Sequence, residues 1–161
     1  MKQNGILIAL SLLLGIIGFF VRDLFLSFSM TYISGEKISF ENSWKLPYQT
    51  FPYLLFILSF AIIPFLYLIV KKFCRLNTLS RKSISIILII TSGLILLASH
   101  IMYLKFKASQ INAMLQRAEF ANDAEIPRIR FEDVNLEMFL LIGLGIGTLI
   151  TILIFGKKKT H

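Results

Sequence analysis

The sequence predicts an all-α integral membrane protein built as a bundle of four transmembrane helices. Of its 161 residues, 56% are hydrophobic and only 16% are charged, and the mean hydropathy is +0.75. A soluble domain of this length would need far more polar surface. The apolar residues are also gathered into four long stretches, which is the pattern of membrane-spanning helices.

The four predicted spans cover residues 5–30, 52–70, 83–104 and 136–156 of a single membrane domain, 1–161. Each approaches or exceeds the roughly 20 helical residues that cross about 30 Å of hydrocarbon. Within lipid, every backbone N–H and C=O must be bonded inside its own segment, so these runs are expected to be helices. Pro64 lacks an N–H and should kink the second span.

The distribution of basic residues predicts the orientation. If the N-terminus is cytoplasmic, the inside segments hold nine cations and no acidic residue, and the outside segments hold eight cations and all nine acidic residues. The loop at 71–82 alone carries five of the inside cations, and such an excess is typical of cytoplasmic loops. The sequence therefore predicts two cytoplasmic termini, an uncleaved first span and a bacterial inner-membrane location. The nine inside cations are Lys2, Lys71, Lys72, Arg75, Arg81, Lys82, Lys157, Lys158 and Lys159.

Two extracytoplasmic segments are expected, 31–51 and 105–135. The first contains Trp44 and Pro47 and is interpreted as an irregular loop. In the second, Ile111 and Met114 recur at helical spacing with Leu115 and Ala118, so the third helix should project from the membrane to about Asp123 with these residues on one apolar face. Asp133 or Asn135 is expected to cap the fourth span.

Three helix faces carry small or hydroxyl-bearing residues at regular spacing. In lipid, small residues allow helix backbones to approach closely, so packing within one bundle explains such faces. A second interpretation is that one face lines a water-filled path or an oligomer axis, for which the serines are the best candidates. The residues are Ser85, Ser92 and Ser99 in the third span, Ser11, Gly15 and Gly18 in the first, and Gly143, Gly147 and Thr151 in the fourth.

The sequence contains no pattern of an enzyme, a cofactor site or a metal site. There is one cysteine, Cys74, which is interpreted as an ordinary thiol at a helix end. His100 has no other metal-ligating residue nearby in the sequence. The run from Gly143 to Gly147 lies inside a lipid-length helix, so it is not a phosphate-binding loop. We therefore expect no catalytic residue, no metal and no cofactor.

Two functions fit these features. The first is an oligomeric, channel-like membrane effector gated by a partner or a ligand. The alternative is a non-conducting interaction protein, either an accessory subunit or an immunity protein against a pore-forming toxin, since the chain resembles four-span colicin immunity proteins in size, span number and cytoplasmic termini. Expected partners are membrane lipids and either further copies of the chain or another membrane protein.

The basic cytoplasmic loop is a candidate site for an anionic ligand. A lipid headgroup, a nucleotide or an oligonucleotide could bind there by charge. The candidate residues are Lys71, Lys72, Arg75, Arg81 and Lys82.

Overall fold

A computed structural model describes residues 2–34, 40–41, 50–74, 76–118, 129–130 and 134–156 of the protein. The predicted helical class is confirmed for this part of the chain, which also contains two strands of two residues each. The elements in chain order are α1 (Lys2–Ser34), β1 (Phe40–Glu41), α2 (Thr50–Ala61), α3 (Ile63–Phe73), α4 (Leu79–Ala118), β2 (Ile129–Arg130) and α5 (Leu136–Phe155).

Three helices, α1, α4 and α5, are long and apolar enough to cross a membrane, and α2 with α3 counts as a fourth span if the bent pair is taken together. The described helices extend from zero to fourteen residues beyond the predicted span limits, with α5 one residue shorter than predicted at its end. Their outward faces carry large apolar side chains, such as Leu24 at 75% exposure and Leu153 at 83%. Exposed apolar area on this scale is what lipid, rather than water, accommodates.

The predicted kink at Pro64 is confirmed as a break in the second span. α2 ends at Ala61 and α3 begins at Ile63, with an angle of 41° between them. The Pro64 ring nitrogen has no hydrogen to donate to the Phe60 carbonyl. Phe65 and Leu66 both donate their backbone N–H groups to the Ile62 carbonyl instead, at 2.9 and 3.0 Å. α3 thus starts a new hydrogen-bond ladder.

The helices pack as two close pairs, α1 with α2 and α4 with α5, and α5 also contacts α2 and α3. At the end of α3, Cys74 forms an antiparallel backbone bridge with Gly156, and its Sγ lies 3.9 Å from the Thr151 carbonyl oxygen. Cys74 is buried. Cys74, expected to be an ordinary thiol at a helix end, is therefore buried where the end of α3 contacts the end of α5.

The segment between α1 and α2 pairs with the segment between α4 and α5. β1 and β2 pair in parallel, Phe40 with Ile129 and Glu41 with Arg130, so the region interpreted as an irregular loop contains one short ladder. Asn135 occupies the N-cap position of α5, as predicted, but its side chain makes no capping bond. Its left-handed backbone, with φ 45°, differs from the extended conformation in which an N-cap side chain reaches the next turn.

Candidate functional site

The part of α4 that continues past the neighbouring helices is the first candidate site. His100 Nε2 lies 2.8 Å from the Val134 carbonyl oxygen, which places residue 100 at the level where α5 begins. Lys105 Nζ lies 3.6 Å from the Tyr32 ring centroid, near the end of α1 at Ser34. α4 continues to Ala118, so residues 106–118, called the arm below, extend roughly 20 Å further at about 1.5 Å per residue. The predicted end near Asp123 lies outside the described residues.

The predicted apolar face of the arm is only partly packed against the rest of the protein. Ala108 is buried and Ile111 packs against the same apolar cluster. Met114, predicted to share an apolar face with Ile111, is 68% exposed, and Phe106 is 62% exposed. Met114 lies six residues after Ala108, which is about 120° away from a whole number of helical turns. The arm therefore presents large apolar side chains on its open side.

At the base of the arm, an open groove of about 330 Å³ lies beside His100. The imidazole stacks on Phe139, with ring centroids 3.6 Å apart, and Tyr103 and Ser99 also line the groove. The hydrogen bond to Val134 and the stacking on Phe139 both connect His100 to the start of α5. These contacts account for the position of His100 by helix packing.

The face of the fourth span with Gly143 and Gly147 lies directly against α4. A Cβ atom built on Gly147 would lie 2.7 Å from Ser92 Cβ and 2.9 Å from Ile89 Cα, and one on Gly143 would lie 2.8 Å from Gly93 Cα. These distances are below any real contact, so neither position has room for a side chain. The same face continues to Thr151, which is fully buried and bonds the Gly147 carbonyl at 2.7 Å.

The serine face of α4 is not uniform. Ser85 is buried, Ser92 is half-buried against Gly147, and Ser99 is exposed. Ser85 and Ser99 donate to the carbonyls four residues earlier, Arg81 and Ile95, at 2.7 and 2.8 Å. Ser92 thus lies at the contact with α5, and Ser85 is buried within the protein.

The small-residue face of the first span lies against α2. A Cβ atom on Gly18 would lie 3.2 Å from Phe60 Cβ, and one on Gly15 would lie 3.6 Å from Ala61 Cβ. Ser11 donates its hydroxyl to the Ala61 carbonyl at 2.5 Å. All three residues therefore contact the segment just before the break.

The turn between α3 and α4 brings together the basic residues of the 71–82 loop. Lys71 and Lys72 are exposed at the end of α3, and Arg81 is exposed and Lys82 half-buried in the first turn of α4. Arg75 lies outside the described residues. Cations favour helix C-termini and are disfavoured at N-termini, so Arg81 and Lys82 oppose the dipole of α4. Charge balance within the helix therefore does not explain their position.

Sequence reasoning did not single out Glu137, which is 5% exposed in the first turn of α5. Its position inside the predicted 136–156 span was the available signal, because ionisable residues within spans are rare. The N-terminal end of a helix favours a carboxylate, and Asn135 leaves it without a side-chain cap. Glu137 is therefore placed to stabilise the start of α5.

Across the described ranges, no group of three or more His, Cys, Asp or Glu residues could hold a metal ion. The sole ion pair within those ranges joins Arg22 to its neighbour Asp23 at 3.3 Å, where the guanidinium also stacks 4.1 Å above the Phe19 ring. No protein-family model matches the sequence, and no curated protein or solved structure is detectably similar to it.

Proposed function

We propose that the chain is a four-span protein of the bacterial inner membrane, with both termini in the cytoplasm, that acts by binding another polypeptide through the arm and conducts no ions. The binding partner would make it an accessory subunit or an immunity protein. The observation that carries this proposal is the length of α4. Crossing the membrane requires roughly 20 residues, and α4 has 40.

The arm lies beyond the reach of lipid in this arrangement. α5, with 20 residues, spans about 30 Å, so its start marks the outer edge of the hydrocarbon. Met114 lies 14 residues past His100, or roughly 21 Å outside that edge. At that distance the exposure of Met114 cannot be assigned to acyl chains, whereas a protein surface would cover it. Phe106, about 9 Å outside the edge, would lie at the base of the same contact.

A photo-crosslinking amino acid at Met114 is expected to join the chain to a polypeptide of one defined mass in intact cells. The matched control is Leu94, which is 53% exposed on the same helix but lies within the span, and is expected to give no such product. Phe106→Glu should abolish the Met114 product by placing a charge in the apolar contact. Equal products from both positions, or a Met114 product indifferent to Phe106→Glu, would contradict the proposal.

An oligomeric channel is the competing proposal. Its main support was the small-residue helix faces, and most of these contact other helices of the same chain. Gly143, Gly147 and Ser92 contact each other's helices within one chain, as Gly15 and Gly18 contact α2. Of the three serines on the α4 face, Ser99 is the exposed one, so it is the candidate to line a pore between several copies of the chain. Ion flux through liposomes carrying the purified protein, reduced by Ser99→Leu, would favour the channel over the arm proposal.

The basic cytoplasmic end is proposed to hold anionic lipid headgroups. Each cation near an anionic membrane surface contributes about 1 kcal/mol. Replacing Lys71, Lys72, Arg81 and Lys82 with Gln should therefore strip most retained phosphatidylglycerol from the detergent-purified protein, measured by native mass spectrometry. Lys105→Gln with Lys107→Gln, at the other end of the span, is the control and should change retention little.

If the ligand is instead a free nucleotide or oligonucleotide, labelled forms of either should bind the detergent-purified protein. That binding should weaken in the same four-residue variant and with added salt. Retention of lipid that is unchanged in the variant would contradict the headgroup proposal.

A further inference from the structure

The break in the second span leaves the Ala61 carbonyl without its usual donor. In an unbroken helix this oxygen would accept the Phe65 N–H, but that N–H is bonded to Ile62 at 2.9 Å. A backbone carbonyl without a partner is costly in hydrocarbon, and side-chain hydroxyls from neighbouring helices can supply the missing bond. Ser11 of α1 does so, at 2.5 Å and 50 residues away in sequence.

We propose that the bend is a two-state hinge: in one state the Ala61 carbonyl accepts from the Ser11 hydroxyl, and in the other it accepts from the Phe65 backbone N–H. The structure contains the bent state. In the straighter state Phe65 bonds Ala61, and the Ser11 hydroxyl turns to the carbonyl four residues earlier on α1. Ser59, Ser85 and Ser99 already bond in that way, so both states leave every one of these groups satisfied.

Phe65, at the start of α3, borders open space, whereas the far end of α3 packs through Val70 and Cys74 into a buried cluster with α4 and α5. Gly15 and Gly18 hold α2 tightly against α1. An open cavity of about 270 Å³ lies at the break itself and is lined by Ser11, Ala61, Ile62, Phe65 and residues of α2 and α5. Phe65 therefore has space to shift without displacing the backbone of another helix.

Movement at the break would be transmitted to the cytoplasmic end. α3 has 11 residues, and removing half of the 41° bend would move its far end by roughly 6 Å at about 1.5 Å per residue. Lys71 and Lys72 lie there. The backbone bridge from Cys74 to Gly156 opposes this motion, so the Ser11 bond and the bridge together hold the bent state.

A double-mutant cycle tests this exchange of donors directly. Spin labels replace Ile6, which is 67% exposed, and Lys72 in a full-length Cys74→Ala chain, and the distance between them is measured by pulsed electron paramagnetic resonance. Ser11→Ala should add a second population displaced by roughly 6 Å, and Pro64→Ala should move the whole distribution there. Ser11→Ala combined with Pro64→Ala should match Pro64→Ala alone, because Phe65 then already holds the carbonyl.

Two further variants separate the hinge from general loss of structure. Ser11→Thr keeps the hydroxyl and should preserve the starting distribution. Ser59→Ala removes a buried hydroxyl that bonds within its own helix and should also preserve it. The proposal is overturned if Ser11→Ala leaves the distances unchanged, if it has the same effect with and without Pro64, or if Pro64→Ala retains the bent distance.

Discussion

Replacing Gly147 with alanine is expected to lower the free energy of unfolding by about 1–3 kcal/mol, the usual cost of adding a methyl group to a filled interior. The new Cβ atom would overlap Ser92 Cβ at 2.7 Å, Ile89 Cα at 2.9 Å and the Leu88 carbonyl oxygen at 2.9 Å. Two of these three atoms belong to the α4 backbone, which cannot change rotamer. The helices would have to separate.

Separation would cost more than the local overlap, because no hydrophobic drive holds helices together in lipid and close packing is the main attraction. Gly143→Ala is expected to act similarly, since its Cβ atom would meet Gly93 Cα at 2.8 Å and the Ser92 carbonyl oxygen at 2.9 Å. The two positions share one contact surface. Their combined effect should therefore differ from the sum of the single effects.

Gly145 provides a matched control on the same helix, because a Cβ atom there meets nothing within 4 Å. Gly145→Ala should be neutral or slightly stabilising, since alanine favours helix more than glycine does. Reversible unfolding by sodium dodecyl sulfate in mixed micelles, followed by far-UV circular dichroism, compares the three variants. Similar unfolding midpoints for Gly145→Ala and Gly147→Ala would show that α4 and α5 do not pack in this way.

The helices could be predicted from the sequence because the governing rule is simple. A span needs a certain length of apolar residues with all backbone groups bonded internally, and Pro64 breaks that ladder wherever the helix lies. Spacing also identified the faces of Gly143 with Gly147 and of Gly15 with Gly18. Periodicity indicates which residues share a face, but it does not indicate whether the neighbour belongs to the same chain.

The partners of individual groups required the structure. The Ser11 bond to Ala61 joins residues 50 apart, and no local pattern relates them. Met114 has the same spacing from Ile111 whether it is packed or exposed, so the spacing could not predict its exposure. Asparagine is a common N-cap residue, but Asn135 has a left-handed backbone conformation and its side chain makes no capping hydrogen bond.

Cysteine labelling should show the two ends of α4 on opposite sides of the membrane. Leu79 is 80% exposed and Met114 is 68% exposed. Their separation of 35 positions corresponds to about 52 Å in a helix, well beyond the roughly 30 Å of hydrocarbon. In a Cys74→Ala background, a membrane-impermeant maleimide should label Met114→Cys in intact cells. Leu79→Cys should react only after the membrane is permeabilised.

The direction of this difference follows from the cations beside Leu79. Lys71, Lys72, Arg81 and Lys82 surround the turn that carries it, and translocating such a cluster is strongly disfavoured. Ile95→Cys is the control, because it is 67% exposed but lies about 24 Å along α4 from Leu79, where lipid should shield it in both conditions. Labelling of Leu79→Cys in intact cells would show that the orientation is the reverse of the proposed one and that the arm lies in the cytoplasm. The search for its partner would then shift to cytoplasmic proteins.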